Sequence, residues 1–513
     1  MRVVTAEQMR EADRLAIEEI GMKEELLMEN AGRAAAAKII ELYPALQYAA
    51  VLAGKGNNGG DGYTIARTLE SEGIRTDVYF VSSDGLKGAA LYHQTLYEKS
   101  GFTPRQFDPS SFRADSYDVI IDAMLGTGIQ GEVKPPFDKA VQVLGKTDTP
   151  VVAVDIPSGV PSGEEDVPSS AVKADATIIL ESPKLSAYLF PAKEYYGQMH
   201  TVSIGMPNAV WDKAGSEAVE WGMTETSASF PVRKENAHKG RHGRGLLIGG
   251  SKNMAGAPAI AALAALESGA GLLTTALPES LMYTTAPLVP ETTFLRLPEK
   301  EGELAEDSVR ADFGFDRYDA VAVGPGLGRL QEAKEIVRRA LVETAGILIL
   351  DADALYWLPE LEQELSERTA PLVLTPHPGE MAHLAGTTPG EVNKHRFSLA
   401  GQYARKTDCY LVLKGANTIC TTPEGYQAVH TSGNAGLAKG GSGDTLTGIL
   451  LGQVMQDGDT AAMVNNAVFL HGHAADLAVD QEETNYSLRA SKLASYVPRA
   501  IKNVQLFQEN RRR

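Results

Sequence analysis

Two kinds of residue group in this chain are suited to chemistry: glycine-rich loops that gather backbone amides, and aspartates that close apolar runs. In the N-terminal half, Val51–Gly62 reads VLAGKGNNGGDG and runs on into a helical stretch, YTIARTLESEG. Its glycines permit positive φ and close backbone approach. The amides at the start of the following helix carry about half a positive charge, which makes the loop a ready anion site. Asn57, Asn58 and Asp61 add side chains able to reach a ribose, an amide or a cation. Two more apolar runs end in aspartate, Asp122 before AMLGTGIQG and Asp155 before IPSG. Either one alone is as readily a turn or capping residue. Together with the glycine loop they favour a phosphate-bearing ligand, with oxygen donors for a hard cation from Asn58, Asp122 and Ser158.

The C-terminal half carries GNAGLAKGGSGDTLTGILLG over Gly433–Gly452. The amides of Gly440, Gly441 and Gly443 precede a helix predicted to begin near Asp444, an arrangement that stabilises charge on a transferred phosphoryl group. Asp444 lies where it can take a proton from a hydroxyl aimed at that group. Upstream, a strand signal over Tyr410–Leu413 leads into Lys414, Gly415, Ala416, Asn417 and Thr418, a loop suited to nucleotide phosphates. No Walker A pattern occurs, which argues against a P-loop kinase. GGSKNMAG (249–256) and GPGLG (324–328) give further close approaches, and His377 in TPHPGE is either a substrate contact or a turn histidine. Asp351 and Asp353 close another apolar run, as water-binding groups or as caps. His471 and His473, two apart on a helix, face different sides and read as packing or surface residues.

The elements that must position these loops alternate in type. Thr5 and Gln8 form a capping box ahead of an amphipathic helix. Apolar runs at Tyr48–Ala53, Asp77–Val81, Val119–Ala123, Val151–Val154 and Thr177–Leu180 then alternate with helical stretches, as in a mainly parallel α/β sheet. The pattern fades between Pro207 and Phe230, where a domain boundary is predicted. A second α/β series follows at Leu246–Gly249, Ala320–Val323, Ile347–Leu350, Leu372–Leu374 and Tyr410–Leu413, with helices around Thr445–Leu451 and Thr460–Ala478. Arg511–Arg513 reads as a frayed, solvated tail. In parallel sheets ligands bind beyond the carboxyl ends of strands, so each set of loops converges on one crevice.

Composition excludes several classes. The 513 residues, 43% hydrophobic and 22% charged, suit two or three globular domains. A net charge of −18 argues against a general nucleic-acid binder, which needs a basic field. Two cysteines, Cys409 and Cys420, are too few for a disulfide scaffold or a cysteine-based metal site, and neither has the setting of a nucleophile. No apolar run reaches the ~18 residues of a membrane span, and the charged N-terminal helix lacks a signal peptide's apolar region. A cytoplasmic enzyme is expected.

GNNGGDG, DAMLGTGIQGE and DIPSG, in this order, resemble the NAD(P)H-hydrate epimerase family. That resemblance implies a Rossmann-like three-layer domain over 1–215 that interconverts the R and S forms, at C6, of hydrated NADH or NADPH. It implies that Asn57, Asn58, Gly59, Gly60 and Asp61, with Gly126, Thr127, Gly128, Ile129, Gln130, Gly131 and Glu132, line the dinucleotide. Asp155 would sit at the nicotinamide end, and Asn58, Asp122 and Ser158 would hold potassium. Epimerising a hemiaminal carbon needs proton transfer, and a carboxylate such as Asp155 can act as acid and base.

HKG (238–240), GGS…GAP, GPGLG, LDADAL, TPHPGE, LKGANT and GGSGD resemble the ADP- or ATP-dependent NAD(P)H-hydrate dehydratase family, of ribokinase-like α/β fold. The implied domain spans 225–510. In it the nucleotide, with Mg²⁺, phosphorylates the C6 hydroxyl of the S hydrate, and loss of phosphate restores NAD(P)H, leaving AMP from ADP or ADP from ATP. Asp444 would be the base. Ala257, Gly326 and His377 would contact the hydrate, and Lys414 to Thr418 with Gly443 the nucleotide. Ala435 and Lys439 depart from the usual residues and leave the choice of ADP or ATP, like that of NADH or NADPH hydrate, open. The partners implied are small molecules, with no nucleic acid or membrane, and enzymes of this architecture commonly form homo-oligomers. Fusion of the two families, epimerase first, matches the bifunctional NAD(P)H-hydrate repair enzymes. The rival readings are a ribokinase-like small-molecule kinase with a regulatory N-terminal domain, and a non-catalytic dinucleotide sensor or scaffold.

Overall fold

The computed structural model describes residues 1–82, 84–129, 131–216, 218–236 and 239–512. Gln130, His238 and Arg513, all named above, lie outside the described residues. The chain divides into two compact units, Met1–Ala218 and Val219–Arg513.

In the first unit, Thr5 caps helix α1 (Ala6–Glu18) as its sequence predicts. The Thr5 hydroxyl accepts from Gln8 N at 3.1 Å, and the Gln8 side chain accepts from Thr5 N at 3.0 Å. Helix α2 (Glu24–Leu42) follows, then strand β1 (Tyr48–Ala53) and helix α3 (Asn57–Ser71). The strands that share its sheet are β2 (Arg75–Phe80), β3 (Arg105–Gln106), β4 (Val119–Ala123), β5 (Val151–Val154), β6 (Ala176–Leu180) and β7 (Gln198–Val202). They join β1 in one sheet of order β3-β2-β1-β4-β5-β6-β7, with every pair parallel.

Side chains alternate across that sheet. Val51 and Ala53 of β1 join the core beneath α1, α2 and α3, whereas Ala50 and Leu52 join a second core on the opposite face with Phe112, Phe137 and Val141. Both faces are covered, so these strands read as unbroken apolar runs rather than alternating ones. The strand order reverses between β1 and β4, and that reversal opens a crevice beyond their carboxyl ends.

The second unit contains β8 (Arg244–Ile248), β9 (Leu272–Pro278), β10 (Thr293–Leu297), β11 (Ala320–Val323), β12 (Ile347–Leu350), β13 (Leu372–Leu374), β14 (Tyr410–Leu413), β15 (Thr418–Thr421) and β16 (Gln427–His430). Their order is β16-β15-β14-β13-β12-β11-β8-β9-β10. The β14/β15 and β15/β16 pairs are antiparallel and the others parallel. Helices α4 (Gly256–Glu267), α5 (Ser442–Val454), α6 (Thr460–Gln481) and α7 (Ala490–Arg512) contribute to a continuous apolar core through Ala261, Ala265, Leu446, Ile449, Ala467, Leu470 and Val497.

Several elements differ from the sequence expectation. β3, β7, β9, β10, β15 and β16 are strands that the apolar pattern does not announce: β3 has two polar residues, and β15 and β16 are four-residue, partly polar strands held by hairpin pairing. The faded segment after Pro207 is structured, with a helix at Asn208–Ala214 and another at Met223–Ser229. Trp211 is buried in the first unit's core, and Trp221 packs against the second unit's core. The expected frayed tail is helical as far as Arg512, where α7 ends. Gln508 Nε2 anchors that helix by donating to Ser227 O at 3.0 Å and Phe230 O at 3.2 Å.

Candidate active sites

In the first unit, β1 passes directly into α3 because Gly54 lets two strand ends approach. Gly54 N donates to Ala123 O at 3.0 Å, and a Cβ on Gly54 would lie 1.7 Å from Met124 O. This contact holds the β1–α3 loop against the loop after β4, and a cavity of about 550 Å³ opens between them. Asn57, Asn58, Asp61, Gly126, Thr127, Gly128, Ile129 and Asp155 all line it. Gly59 and Gly60 do not. They are buried where α3 packs, with Gly54 O and Met28 Sδ in the space a side chain would need. Gly131 and Glu132 also lie outside the lining, and the Glu132 carboxylate accepts instead from the Ser169 amide at 3.3 Å and the Ser170 hydroxyl at 3.3 Å.

Of the three expected cation ligands Asn58 lines the cavity, whereas Asp122 and Ser158 are fully buried outside its lining, linked to Asn58 through Leu125. The Ser158 hydroxyl donates to Asp122 Oδ1 at 2.6 Å, and the Ser158 amide to Asp122 Oδ2 at 2.8 Å. Asn58 Nδ2 donates to Leu125 O at 3.0 Å, and Leu125 N donates to Ser158 Oγ at 2.9 Å. Asn58 Oδ1 is buried without a hydrogen-bond partner, although buried acceptors are normally satisfied. Burial raises the Asp122 carboxyl to about 6, against the opposing pull of the Ser158 hydroxyl and the Ser158 and Met124 amides. An orphaned amide oxygen beside a carboxylate in need of positive charge is a donor set that fits a hard cation.

Asp155 stands at the end of β5 with φ +64°. Its Oδ1 accepts from Lys184 Nζ at 2.7 Å and from Leu180 N at 3.3 Å. Lys184 is itself 2% exposed, and its ammonium also donates to Ser182 O at 3.0 Å. Sequence reading missed Lys184 and Asp13, both of which line the cavity. A signal for Asp13 existed: Met9, Asp13 and Ile17 are four residues apart on α1, and all three face the cavity, so an acid interrupts an otherwise apolar stripe.

In the second unit, α5 starts at Ser442 after Gly441, whose φ of +90° only glycine adopts without strain. The first turn presents Asp444, and one turn later Thr447 donates its hydroxyl to Asp351 Oδ2 at 2.6 Å. Asp351, 1% exposed, also accepts from the Thr375 hydroxyl at 2.7 Å and from Lys414 Nζ at 2.8 Å. The Lys414 ammonium and these hydroxyls outweigh burial and hold the Asp351 carboxyl below its ordinary range. Lys414 Nζ is also 3.7 Å from Glu380 Oε2, and a Cβ on Gly443 would lie 3.5 Å from it. Lys414, Gly443, Asp351 and Asp444 therefore share one pocket of charge. Burial and the Asp351 carboxylate push Asp444 up to about 7, while Lys414 pulls the other way. A carboxyl poised there can accept a proton near neutral pH.

The loop after β14 is clamped from behind. Arg396 Nη2 donates to Leu413 O, Lys414 O and Asn417 O at 3.0–3.2 Å, leaving Gly415 and Ala416 exposed. The Thr418 hydroxyl donates to Gly415 O at 3.2 Å. The glycine run before α5 is anchored by Asp476, which accepts from Gly433 N at 2.8 Å and Asn434 Nδ2 at 3.1 Å. Ala257 and Gly326 are neighbours, since a Cβ on Gly326 would lie 3.1 Å from the Ala257 Cβ.

His377 plays the turn role at least. Its Nδ1 accepts from Gly379 N at 3.0 Å and Glu380 N at 3.2 Å, capping the helix Pro378–Ala385. It also lines a cavity of about 250 Å³ with Arg329, Tyr356, Glu380 and His383. Asp353 holds the GPGLG loop, accepting from Gly328 N and Arg329 Nε, each at 3.0 Å. His471 lies 3.0 Å from Ser442 O, and His473 stacks on Phe469.

Comparison with known proteins agrees with this two-part organisation. Residues 24–186 match the family model described as YjeF-related protein N-terminus, and residues 245–499 match that described as NAD(P)H-hydrate dehydratase. The bifunctional NAD(P)H-hydrate repair enzyme of Thermofilum pendens is 34% identical over 98% of this chain and 96% of its own length. A ribokinase-like superfamily protein from Enterococcus faecalis V583 superposes with a TM-score of 0.50 at 25% identity, over 56% of this chain and 96% of that one. The ADP/ATP-dependent NAD(P)H-hydrate dehydratase of Bacillus subtilis, co-crystallised with ATP/Mg²⁺, is 34% identical over 56% of this chain and 98% of that one, with a TM-score of 0.48. With one such relative aligned from end to end and both halves matched separately, the chain belongs to the family of bifunctional NAD(P)H-hydrate repair enzymes.

Proposed function

We propose that the first unit epimerises the R and S forms of hydrated NADH or NADPH, and that the second dehydrates the S form at the expense of ADP or ATP. The observation that carries this reading is the pairing, in a chain of this family, of a cavity lined by Asn57, Asn58, Asp61, Gly126–Ile129 and Asp155 with a second site built on Lys414, Gly443 and Asp444. In the second site Asp444 takes the proton of the C6 hydroxyl as the phosphoryl group is transferred, and the amides of Gly440, Gly441 and Gly443 receive the developing charge. Lys414, Gly415, Ala416, Asn417 and Thr418 bind the nucleotide, while Ala257, Gly326 and His377 bind the hydrate. Mg²⁺ accompanies the nucleotide and neutralises phosphate charge when bound.

In the first site Asn58, Asp122 and Ser158 hold K⁺, which the orphaned Asn58 Oδ1 and the raised Asp122 carboxyl support. Only one epimer is dehydrated, so the first activity lets the whole damaged pool drain through the second. The test separates the two. Asp444→Asn should keep R/S interconversion, followed chromatographically without nucleotide, and lose dehydration by about 10²-fold or more. Replacing K⁺ by a bulky organic cation should slow interconversion alone. Loss of both activities in Asp444→Asn, or full dehydration by it, contradicts the assignment.

A further inference from the structure

The cavity of the first unit holds more carboxylates than its cations neutralise. Asp13 on α1, Asp61 on α3 and Asp155 after β5 line one space, together with Glu24 of α2. Arg10 and Lys55 line it as well, but of these three cations only Lys184 donates a hydrogen bond to one of the aspartates among the described residues, and it donates to Asp155. Asp61 is 8% exposed and faces the cavity, and no group among the described residues donates a hydrogen bond to its carboxyl. Four carboxylates thus face three cations, of which only Lys184 is buried, so at least one carboxylate charge of the lining is left uncompensated, which burial makes costly. Asp61 is the member driven furthest towards its protonated form: burial comes first, followed by the charges of Asp155 and Asp13, and all three raise its carboxyl well above the usual range. Asp13 rises to about 6 through burial, with Lys184 pulling it down and Asp155 and Glu24 pushing it up.

We propose that Asp61 is the catalytic proton donor of the epimerase reaction and that Asp155, positioned by Lys184, is its base. The inference rests on the epimerase reading above. The Asp155 carboxylate takes the proton of the C6 hydroxyl as the C6–N1 bond breaks, giving an aldehyde at C6. The electron pair released to N1 takes the proton of Asp61, leaving a neutral open-chain enamine. Rotation about C5–C6 turns the other carbonyl face towards N1. Reclosure then forms C6–N1 again, returns the N1 proton to Asp61, and passes the Asp155 proton to the oxygen. No proton, electron or atom is gained or lost over the cycle. Asp61, driven towards its protonated form by burial, and Asp155, held by the Lys184 ammonium, line one cavity and suit such paired transfer.

The experiment uses the full-length protein and follows (R)- to (S)-NADH hydrate by chromatography without nucleotide. Dehydration of the S hydrate serves as an internal control of folding. Asp61→Asn should lower the interconversion kcat by about 10²-fold or more, leave KM within about threefold, and leave dehydration unchanged. Asp61→Glu should restore part of kcat, and wild-type kcat should fall at alkaline pH as the donor loses its proton. Asp61→Asn with wild-type kcat, an effect confined to KM, or a wild-type kcat that is flat from neutral to strongly alkaline pH overturns the proposal. A wild type that dehydrates the S hydrate but never interconverts the epimers defeats the epimerase reading itself, a different outcome from any of these.

Discussion

Replacing Lys414 by methionine tests whether the charge cluster of the second unit is built as described. Asp351 is 1% exposed and accepts from Lys414 Nζ at 2.8 Å. At that distance and an effective dielectric of about 20, the attraction is about 6 kcal/mol. Removing the lysine also removes the cost of burying its ammonium, so the net loss belongs with broken buried pairs, about 3–5 kcal/mol. The hydroxyls of Thr447 and Thr375 stay on the Asp351 carboxylate, which places Lys414→Met near the lower end, about 3 kcal/mol.

The pH dependence has a definite sign. In the wild type the Asp351 carboxyl is held low, so its contribution to stability is present above the unfolded value, about 4, and is lost as pH falls through the folded value. In the variant the carboxyl rises and takes up a proton more readily. The deficit of Lys414→Met should therefore be largest at pH 7.5 and narrow towards pH 5. Urea unfolding of the full chain, read by hydrogen exchange on β12, β14 and α5 with β1 and β4 as the reference, measures it. A deficit below about 1 kcal/mol at pH 7.5, or one that widens towards pH 5, refutes the reasoning.

Two more outcomes follow from the same structure. Asp444, at about 7, must be ionised to act as base, so kcat for dehydration should fall below about pH 7 by tenfold per unit; an acid limb near pH 4 would show that another group is the base. Gly54→Ala would place a methyl group 1.7 Å from Met124 O, a backbone atom, and should destabilise the first unit by about 2–3 kcal/mol or more. Thermal unfolding of the variant checks this, and an unchanged first-unit transition would mean that the β1 and β4 ends are not held together as described.

Both candidate sites are legible as sets, because glycine loops and aspartates recur together at strand ends, although each residue alone has other uses. Asn57, Asn58, Asp61 and Asp155 reach one crevice because parallel strands must all deliver their carboxyl ends to the same edge, while Asp122 and Ser158 are buried outside its lining. Sequence cannot separate glycines that face a ligand from glycines that admit a neighbouring backbone, and Gly59 and Gly60 proved to be of the second kind. Lys184 goes unannounced for a related reason, and the one signal for Asp13 is its interruption of the apolar stripe of α1. A lone lysine after a proline and a lone aspartate on an amphipathic helix look like surface residues until tertiary packing encloses them. The same holds for Thr375 and Thr447, whose partner Asp351 is distant in sequence. The strands missed, β15 and β16 above all, are stabilised by cross-strand pairing that no local apolar pattern records.

The most direct test of the whole account is recovery of the near-ultraviolet absorbance of reduced nicotinamide from an R/S mixture of NADH hydrate, with Mg²⁺ and either ADP or ATP. The full-length protein should restore the absorbance of both epimers, and Asp155→Ala should restore only the S fraction on the same timescale. No recovery by the wild type with either nucleotide, or accumulation of a stable phosphorylated product in its place, would contradict the account.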